Sequence, residues 1–241
     1  MQKRIVTNYF VRSPKLTKRF VFAIASDLHN AEYRDLLPML HSVDAILVPG
    51  DLANRYKQRW EKGVSFVREA ASIAPVYFST GNHDRRLEGG YPLFLEKLQE
   101  AGGIVLDGKT QCFDDEVILG GLASQEDKEH LNATVVEDLR TQEGFRLLLC
   151  HHPEYYERWI RNHDIDLTIS GHAHGGQVVL FGQGIYSPGQ GLFPKLTCGF
   201  YDDEHLLVSR GLTNSAHAPR FNDPCELLIL QLIPEQEAVE E

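Results

Sequence analysis

The feature that most restricts this chain is a series of apolar runs, three to six residues long, most of them ending in glycine or polar residues. They are Phe20–Ala25, Ala45–Val48, Val76–Phe78, Val117–Leu119, Leu147–Leu149 and Leu167–Ile169. Their length and their β-branched or aromatic content suit strands buried on both faces. Between several of them lie stretches with helical spacing: Arg34–His41, Arg59–Ser72, Pro92–Ala101 and Pro153–Asn162. The last opens with a proline suited to a first helical turn. Strand and helix alternate through the first two-thirds, which predicts a layered α/β domain. Residues 178–231 read as further strands and loops, with Leu206–Ser209 and Leu227–Leu232 the clearest strands. With no internal repeat, low-complexity block or linker, residues 1–241 read as one domain. Residues 1–19 form a basic segment and residues 234–241 an acidic, fraying tail.

Composition narrows the class. The 241 residues are 42% hydrophobic and 24% charged, ordinary for a soluble globular chain and ample for one core. No apolar run reaches the length of a membrane-spanning helix, and the start lacks the apolar segment of a secretory signal. Cys112, Cys150, Cys198 and Cys225 are scattered without a CxxC pair, which points to reduced thiols and a cytoplasmic protein. A net charge of -10 disfavours broad adhesion to nucleic acid but leaves room for a local basic groove. The charge is uneven: Lys3, Arg4, Arg12, Lys15, Lys18 and Arg19 are met by no acidic residue before position 20. Two readings stand for this segment. One is an edge strand over Ile5–Val11 guarded by charge; the other is an arm that touches anionic lipid or a polyanion.

The polar residues that follow the apolar runs are unusual. Phe20–Ala25 leads into Asp27-Leu28-His29, Ala45–Val48 into Gly50-Asp51, and Val76–Phe78 into Gly81-Asn82-His83-Asp84. Leu147–Leu149 leads into Cys150-His151-His152-Pro153, and Leu167–Ile169 into Gly171-His172-Ala173-His174. In an open α/β sheet ligands bind beyond the carboxyl ends of the strands. One Asp-Gly-His cluster can simply build a turn. Five, each placed after a strand, indicate a metal site. Asp27 and His29, at i and i+2 on a strand, would point to one face and share a cation.

This ordered set closely resembles the calcineurin-like metallophosphoesterase superfamily, whose pattern is DxH, GD, GNHD/E, H and GHxH. The segments GHAHGGQ, YSPGQGLFPKLTCG and VSRGL further resemble its bacterial YkuE-like or YaeI-like branch. The resemblance implies two mixed β-sheets packed face to face and flanked by helices. It also implies a dinuclear centre: Asp27, His29, Asp51 and His174 around one cation, and Asp51, Asn82, His151 and His172 around the other, with Asp51 as the bridge. Mixed nitrogen and oxygen donors without thiolate suit two divalent transition-metal ions from among Mn, Fe, Zn and Co. Two such cations, less the charges of Asp27, Asp51 and one hydroxide, leave a single positive charge for an anionic phosphoryl group. The expected activity is hydrolysis of a phosphodiester or pyrophosphate bond by metal-activated hydroxide.

Two more residues carry roles by the same resemblance. His83 would donate a hydrogen bond or a proton toward phosphate or leaving group, and Asp84 would orient the His83 ring. The ligand histidine of the family stands two residues before the proline, which selects His151 and leaves His152 as a rim residue that meets substrate. Gly175 and Gly176 would let backbone pass close to the site, and the glycine-rich stretch 182–191 would border the pocket. Arg210 and Arg220 are either structural or placed to reach a second phosphate. His41, His130, His163, His205 and His217 read as ordinary surface or structural histidines. The expected partner is a small phosphorylated substrate, lipid-linked ones included, with no stable nucleic-acid partner and peripheral membrane contact through the basic N-terminal segment. Two alternatives compete: a non-catalytic scaffold on the same fold, which should have lost ligands, and a nuclease, for which no aromatic-basic platform is present.

Overall fold

The computed structural model describes residues 4–127, 129–214 and 219–236. His217 and most of the acidic tail lie outside the described residues. In chain order the strands are β1 (Arg4–Ser13), β2 (Phe20–Ile24), β3 (Ala45–Val48), β4 (Val76–Phe78) and β5 (Gly103–Val105). Then come β6 (Thr110–Asp114), β7 (Val117–Leu122), β8 (Phe145–Cys150) and β9 (Leu167–Ser170). Four two-residue strands follow: β10 (Val179–Leu180), β11 (Gln183–Gly184), β12 (Tyr186–Ser187) and β13 (Gly191–Leu192). The last three are β14 (Gly199–Tyr201), β15 (Leu206–Val208) and β16 (Cys225–Pro234).

Two six-stranded mixed sheets dominate, in the orders β1-β16-β2-β3-β4-β5 and β14-β15-β9-β8-β7-β6. Side-chain alternation explains why their central strands read as unbroken apolar runs. Phe22, Ile24 and Leu47 point inward and meet Leu147, Leu149, Leu167 and Ile169 of the other sheet, all fully buried. Their neighbours Ala23, Ile46 and Val48 point the other way, into a second core shared with the helix Glu61–Ala71 and the helix Tyr91–Glu100. Leu148 and Cys150 likewise face a third core under the helix Thr134–Arg140. The central strands of each sheet are therefore dry on both faces. A fully buried side chain such as Phe22 contributes about 1.5–3 kcal/mol. The layered α/β architecture is present: two mixed sheets face to face, helices outside.

The helix Glu61–Ala71 buries Gly63, Val64, Phe66, Val67 and Ala70, the i, i+3, i+4 stripe that its spacing predicts. Two other helical expectations are corrected. Over 34–41 only Leu37–Leu40 forms, as a 3-10 turn, because Pro38 has no N–H to continue an α-helix from residue 34. Pro153–Asn162 breaks into a 3-10 turn at Pro153–Tyr155 and a short helix, Tyr156–Trp159, which ends where Ile160 leaves helical geometry (φ -126°).

β1 is an edge strand, pairing with β16 alone. Its basic neighbourhood is largely neutralised: Arg4 pairs with Asp35 (2.6 Å), Lys15 with Asp166 (2.8 Å) and Lys18 with Asp114 (2.9 Å). No helix of the described residues is long and apolar enough to cross a membrane.

Candidate metal centre

Asp27 and His29 lie beyond the end of β2 rather than on it, and both have left-handed backbone, at φ 59° and 48°. The strand-face account of this pair is therefore wrong. They converge because two left-handed turns are pinned by backbone bonds, from Asp27 N–H to Gly50 O (3.1 Å) and from His29 N–H to Asp51 O (2.9 Å). Asp51 (59°), His172 (65°) and His174 (46°) share that conformation. In residues other than glycine it costs of order 1–3 kcal/mol at each position and clusters at functional sites. Gly50 makes the approach possible: at φ 94°, a Cβ there would stand 2.6 Å from Gly81 N and 2.8 Å from His151 Nδ1.

The side chains form two groups joined by one carboxylate. In the first, Asp27 Oδ1 lies 3.5 Å from His29 Nε2 and 3.6 Å from His174 Nε2. The two ring nitrogens are 3.4 Å apart. In the second, Asp51, His151 and His172 bring their ligand atoms within 4.8 Å of one another. Asp51 Oδ2 lies 3.1 Å from His151 Nε2 and 3.9 Å from His29 Nε2, so it stands between the groups. Asn82, at the start of the short helix Asn82–Arg85, could add an oxygen, its Oδ1 being buried.

Two buried atoms here, Asn82 Oδ1 and His172 Nε2, have no hydrogen-bond partner among the described residues, and His151 Nε2 faces the Asp51 carboxylate. Polar atoms left in this way are costly unless something else satisfies them. A pair of cations would do so, and this nitrogen–oxygen donor set suits Mn, Fe, Zn or Co. All seven expected ligands are buried at this one place.

Burial and neighbouring charge set the protonation of these groups. Burial alone would raise the Asp51 carboxyl, but His151 and His83 beside it hold it well below the usual range. Asp27 is lowered likewise, burial being outweighed by His174 and His29. Burial, with His152 and His151 nearby, keeps His172 neutral at ordinary pH, and burial holds His174 down to about 4. His151 goes the other way: burial would lower it, but Asp51 lifts it to about 10. Its Nδ1–H donates to Pro49 O (2.8 Å), and a cation would take the place of the proton that Nε2 shares with Asp51; His29 Nδ1 meets Ala53 O at 3.3 Å. Such outer contacts fix the tautomer of a ligating imidazole.

Arg220 and Arg210 are structural. Arg220, its side chain 1% exposed, donates to His174 Nδ1 (3.1 Å), to Thr213 O (3.0 Å) and to Asp223 (3.1 Å). Arg210 holds the other Asp223 oxygen at 2.8 Å. Gly175 and Gly176 give close approach to Asp223 and Gly184, not to the ligands.

His83 packs 4.4 Å from the His29 ring, and its Nδ1 accepts the backbone N–H of Arg55 (3.3 Å). Burial drives its pKa down to about 3. It also lies within ligand reach of His29 and Asp51. Asp84 does not orient this ring. Its carboxylate accepts backbone N–H groups from Asp51 (2.7 Å), Ala53 (2.8 Å) and Gly81 (2.9 Å), fastening the two ligand loops together. Burial and the nearby Asp51 charge push its carboxyl up to about 7 against the pull of those donors.

His152 is buried in the wall rather than at the rim, 2% exposed, with Nε2 2.8 Å from Ser124 Oγ and Nδ1 3.3 Å from Glu154 Oε1. With Glu154 and His172 it makes a further group of possible ligands. A cavity of about 470 Å³ opens onto all this, its walls including Arg55, Arg85, Arg86, Ser124, Tyr186 and Pro188. Sequence reasoning missed Ser124, Glu154 and the three arginines. Arg85 and Arg86 directly follow Asn82-His83-Asp84 and were readable there; Ser124 carries no signal. His41, His130 and His205 are exposed, and His163 binds Glu137 (2.8 Å).

Among known proteins, residues 20–176 match the family model of the calcineurin-like phosphoesterases. The chain is 28% identical over 214 residues to YpbG of Bacillus subtilis, covering 82% of this chain and 73% of that protein. A metallophosphoesterase of Helicobacter pylori (strain J99) is 24% identical over 243 residues, covering 92% of this chain and 57% of its own length. TT1561 of Thermus thermophilus, a solved structure, aligns with a TM-score of 0.42 and 15% identity over 63% of this chain and 81% of that one.

Proposed function

Because this chain belongs to the calcineurin-like phosphoesterase family, we propose that it is a dinuclear metal-dependent hydrolase of a small phosphodiester or pyrophosphate. The observation that carries this reading is the position of Asp51 Oδ2, between His151 and His29, where one carboxylate serves both groups. Asp27, His29, Asp51 and His174 would hold one cation, and Asp51, Asn82, His151 and His172 the other. Two divalent cations held there supply Lewis acidity and a lowered pKa for bound water.

The chain's own residues do the rest. Since Nδ1 of His83 accepts from Arg55, the neutral ring carries its proton on Nε2. That N–H is available to a phosphoryl or leaving-group oxygen in the cavity that His83 lines. Arg55, Arg85 and Arg86 give the mouth a local positive charge in a chain of net charge -10, which favours a compact anion over a long one. A diester monoanion matches the single uncompensated charge of the loaded centre better than a monoester dianion. Retention of all seven ligands counts against the scaffold alternative.

The test is kcat/KM on bis-nitrophenyl phosphate, nitrophenyl phosphate, a nucleotide-sugar pyrophosphate and single-stranded DNA at one salt and Mn concentration. Diester or pyrophosphate should lead. Preferred cleavage of DNA, or a monoester ahead of both by more than about tenfold, overturns the assignment.

A further inference from the structure

Eleven large apolar side chains stand exposed among the described residues, and six of them belong to one patch: Leu180, Phe181, Tyr186, Leu192, Phe193 and Phe221. The β10–β11 hairpin carries Leu180 and, at its tip, Phe181; the β12–β13 hairpin carries Tyr186 opposite Leu192 and leads into Phe193. Gln183 ties the hairpins together through Pro194 O (3.1 Å), and Phe221 bridges to Val178. Tyr186 and Pro188 of the second hairpin also line the cavity, so the patch is continuous with its mouth.

Two features separate this patch from scattered surface apolar residues. Phe181 is 108% exposed and Phe193 65%, and both have left-handed backbone, at φ 52° and 54°. For a bulky residue that conformation is an outlier. The chain thus accepts strain at the tip of one hairpin and just after the other, at side chains that gain little packing within the fold. The charge pattern is also distinct. Residues 175–201 contain one charged residue, Lys195, and no acid, in a chain with 34 acids. The same mouth presents Arg55, Arg85 and Arg86, with Glu126 the one exposed acid of the lining.

We propose that the two hairpins and Phe221 dock the protein on an anionic lipid surface, with the cavity mouth facing the headgroups. Convex apolar tips enter a deformable lipid interface without needing a complementary pocket, and aromatic rings are favoured at that depth. The acid-free apolar hairpins and the arginines of the mouth match the acyl boundary and the anionic headgroup layer respectively. The N-terminal basic segment is the weaker candidate, since Arg4, Lys15 and Lys18 are held in ion pairs. The proposal rests on the phosphoesterase reading for what the cavity does, not for where the protein docks.

The test is co-sedimentation of the whole protein with phosphatidylcholine vesicles, with and without phosphatidylglycerol, alongside turnover of bis-nitrophenyl phosphate in solution. The protein should bind the phosphatidylglycerol vesicles. Phe181→Ser with Phe193→Ser should lower the partition by about tenfold or more while soluble turnover is kept. Val6→Ser, an exposed apolar residue on β1, should change neither. Tryptophan emission of Phe181→Trp should shift blue on vesicle addition. Protein that stays in the supernatant, or a double variant that binds like the parent, overturns the proposal. So does a parent dimer that the double variant abolishes, because the patch would then cover a second copy. Turnover without vesicle binding refutes docking alone; vesicle binding without turnover of either bis-nitrophenyl phosphate or a nucleotide-sugar pyrophosphate refutes only the hydrolase reading.

Discussion

Acid should destabilise the metal-free protein in a way traceable to His83. Its ring is 5% exposed, and burial holds its pKa at about 3 against an ordinary 6.5. A depressed histidine favours the neutral ring in the folded state. As pH falls below about 6.5, the unfolded chain takes up a proton that the folded ring refuses, and stability drops until the folded pKa is reached. At about 1.4 kcal/mol per pH unit, His83 alone costs about 2 kcal/mol between about pH 7 and 5, and about 3 kcal/mol by pH 4. That is a large share of the roughly 5–15 kcal/mol available to a domain. His83→Gln keeps an acceptor for the Arg55 N–H and cannot titrate. Urea unfolding in chelator, at the two pH values, reads the difference. The variant should lose about 2 kcal/mol less than the wild type. Equal losses in the two proteins would refute the reasoning.

Three further outcomes follow from particular contacts. Asp84→Ala leaves three buried backbone N–H groups without acceptors, each worth about 1–3 kcal/mol, so urea unfolding should register a loss of at least about 3 kcal/mol. A loss below about 1 kcal/mol would show that the loops do not depend on it. His83→Ala in the metal-loaded protein should lower kcat by about 10²–10⁴ with metal content near normal. A loss that is milder with poor leaving groups than with nitrophenolate would exclude proton donation. Arg220→Met removes one partner of the buried Asp223 carboxylate and should cost about 1–3 kcal/mol in urea unfolding; an unchanged midpoint would show that Arg210 alone satisfies Asp223.

The parts of this molecule that were legible in its sequence are those where burial alone decides. Ala45–Val48 and Val76–Phe78 match their strands end to end, because both faces are dry and the apolar run is the strand. The residues that converge at the candidate centre were legible because each follows such a strand. Their backbone was not: Asp27-Leu28-His29 reads as a continuing strand, and nothing in its residue types announces two left-handed turns. The partners of Asp84 were hidden for a related reason, since backbone N–H donors carry no sequence signal. Ser124 and His152 stand 28 residues apart and meet only through tertiary packing. The glycine-rich stretch 182–191 announced loops at the pocket, but its two small hairpins depend on pairings only two residues long.

The most direct test is the metal content of the purified, fully reconstituted chain, measured by elemental analysis for the wild type and for Asp51→Ala. Asp51 stands between the two groups and would bind both cations. The wild type should hold close to two transition-metal ions per chain, and Asp51→Ala should lose occupancy at both sites. One ion or none in the wild type, or an Asp51→Ala variant that keeps both, would contradict the dinuclear centre.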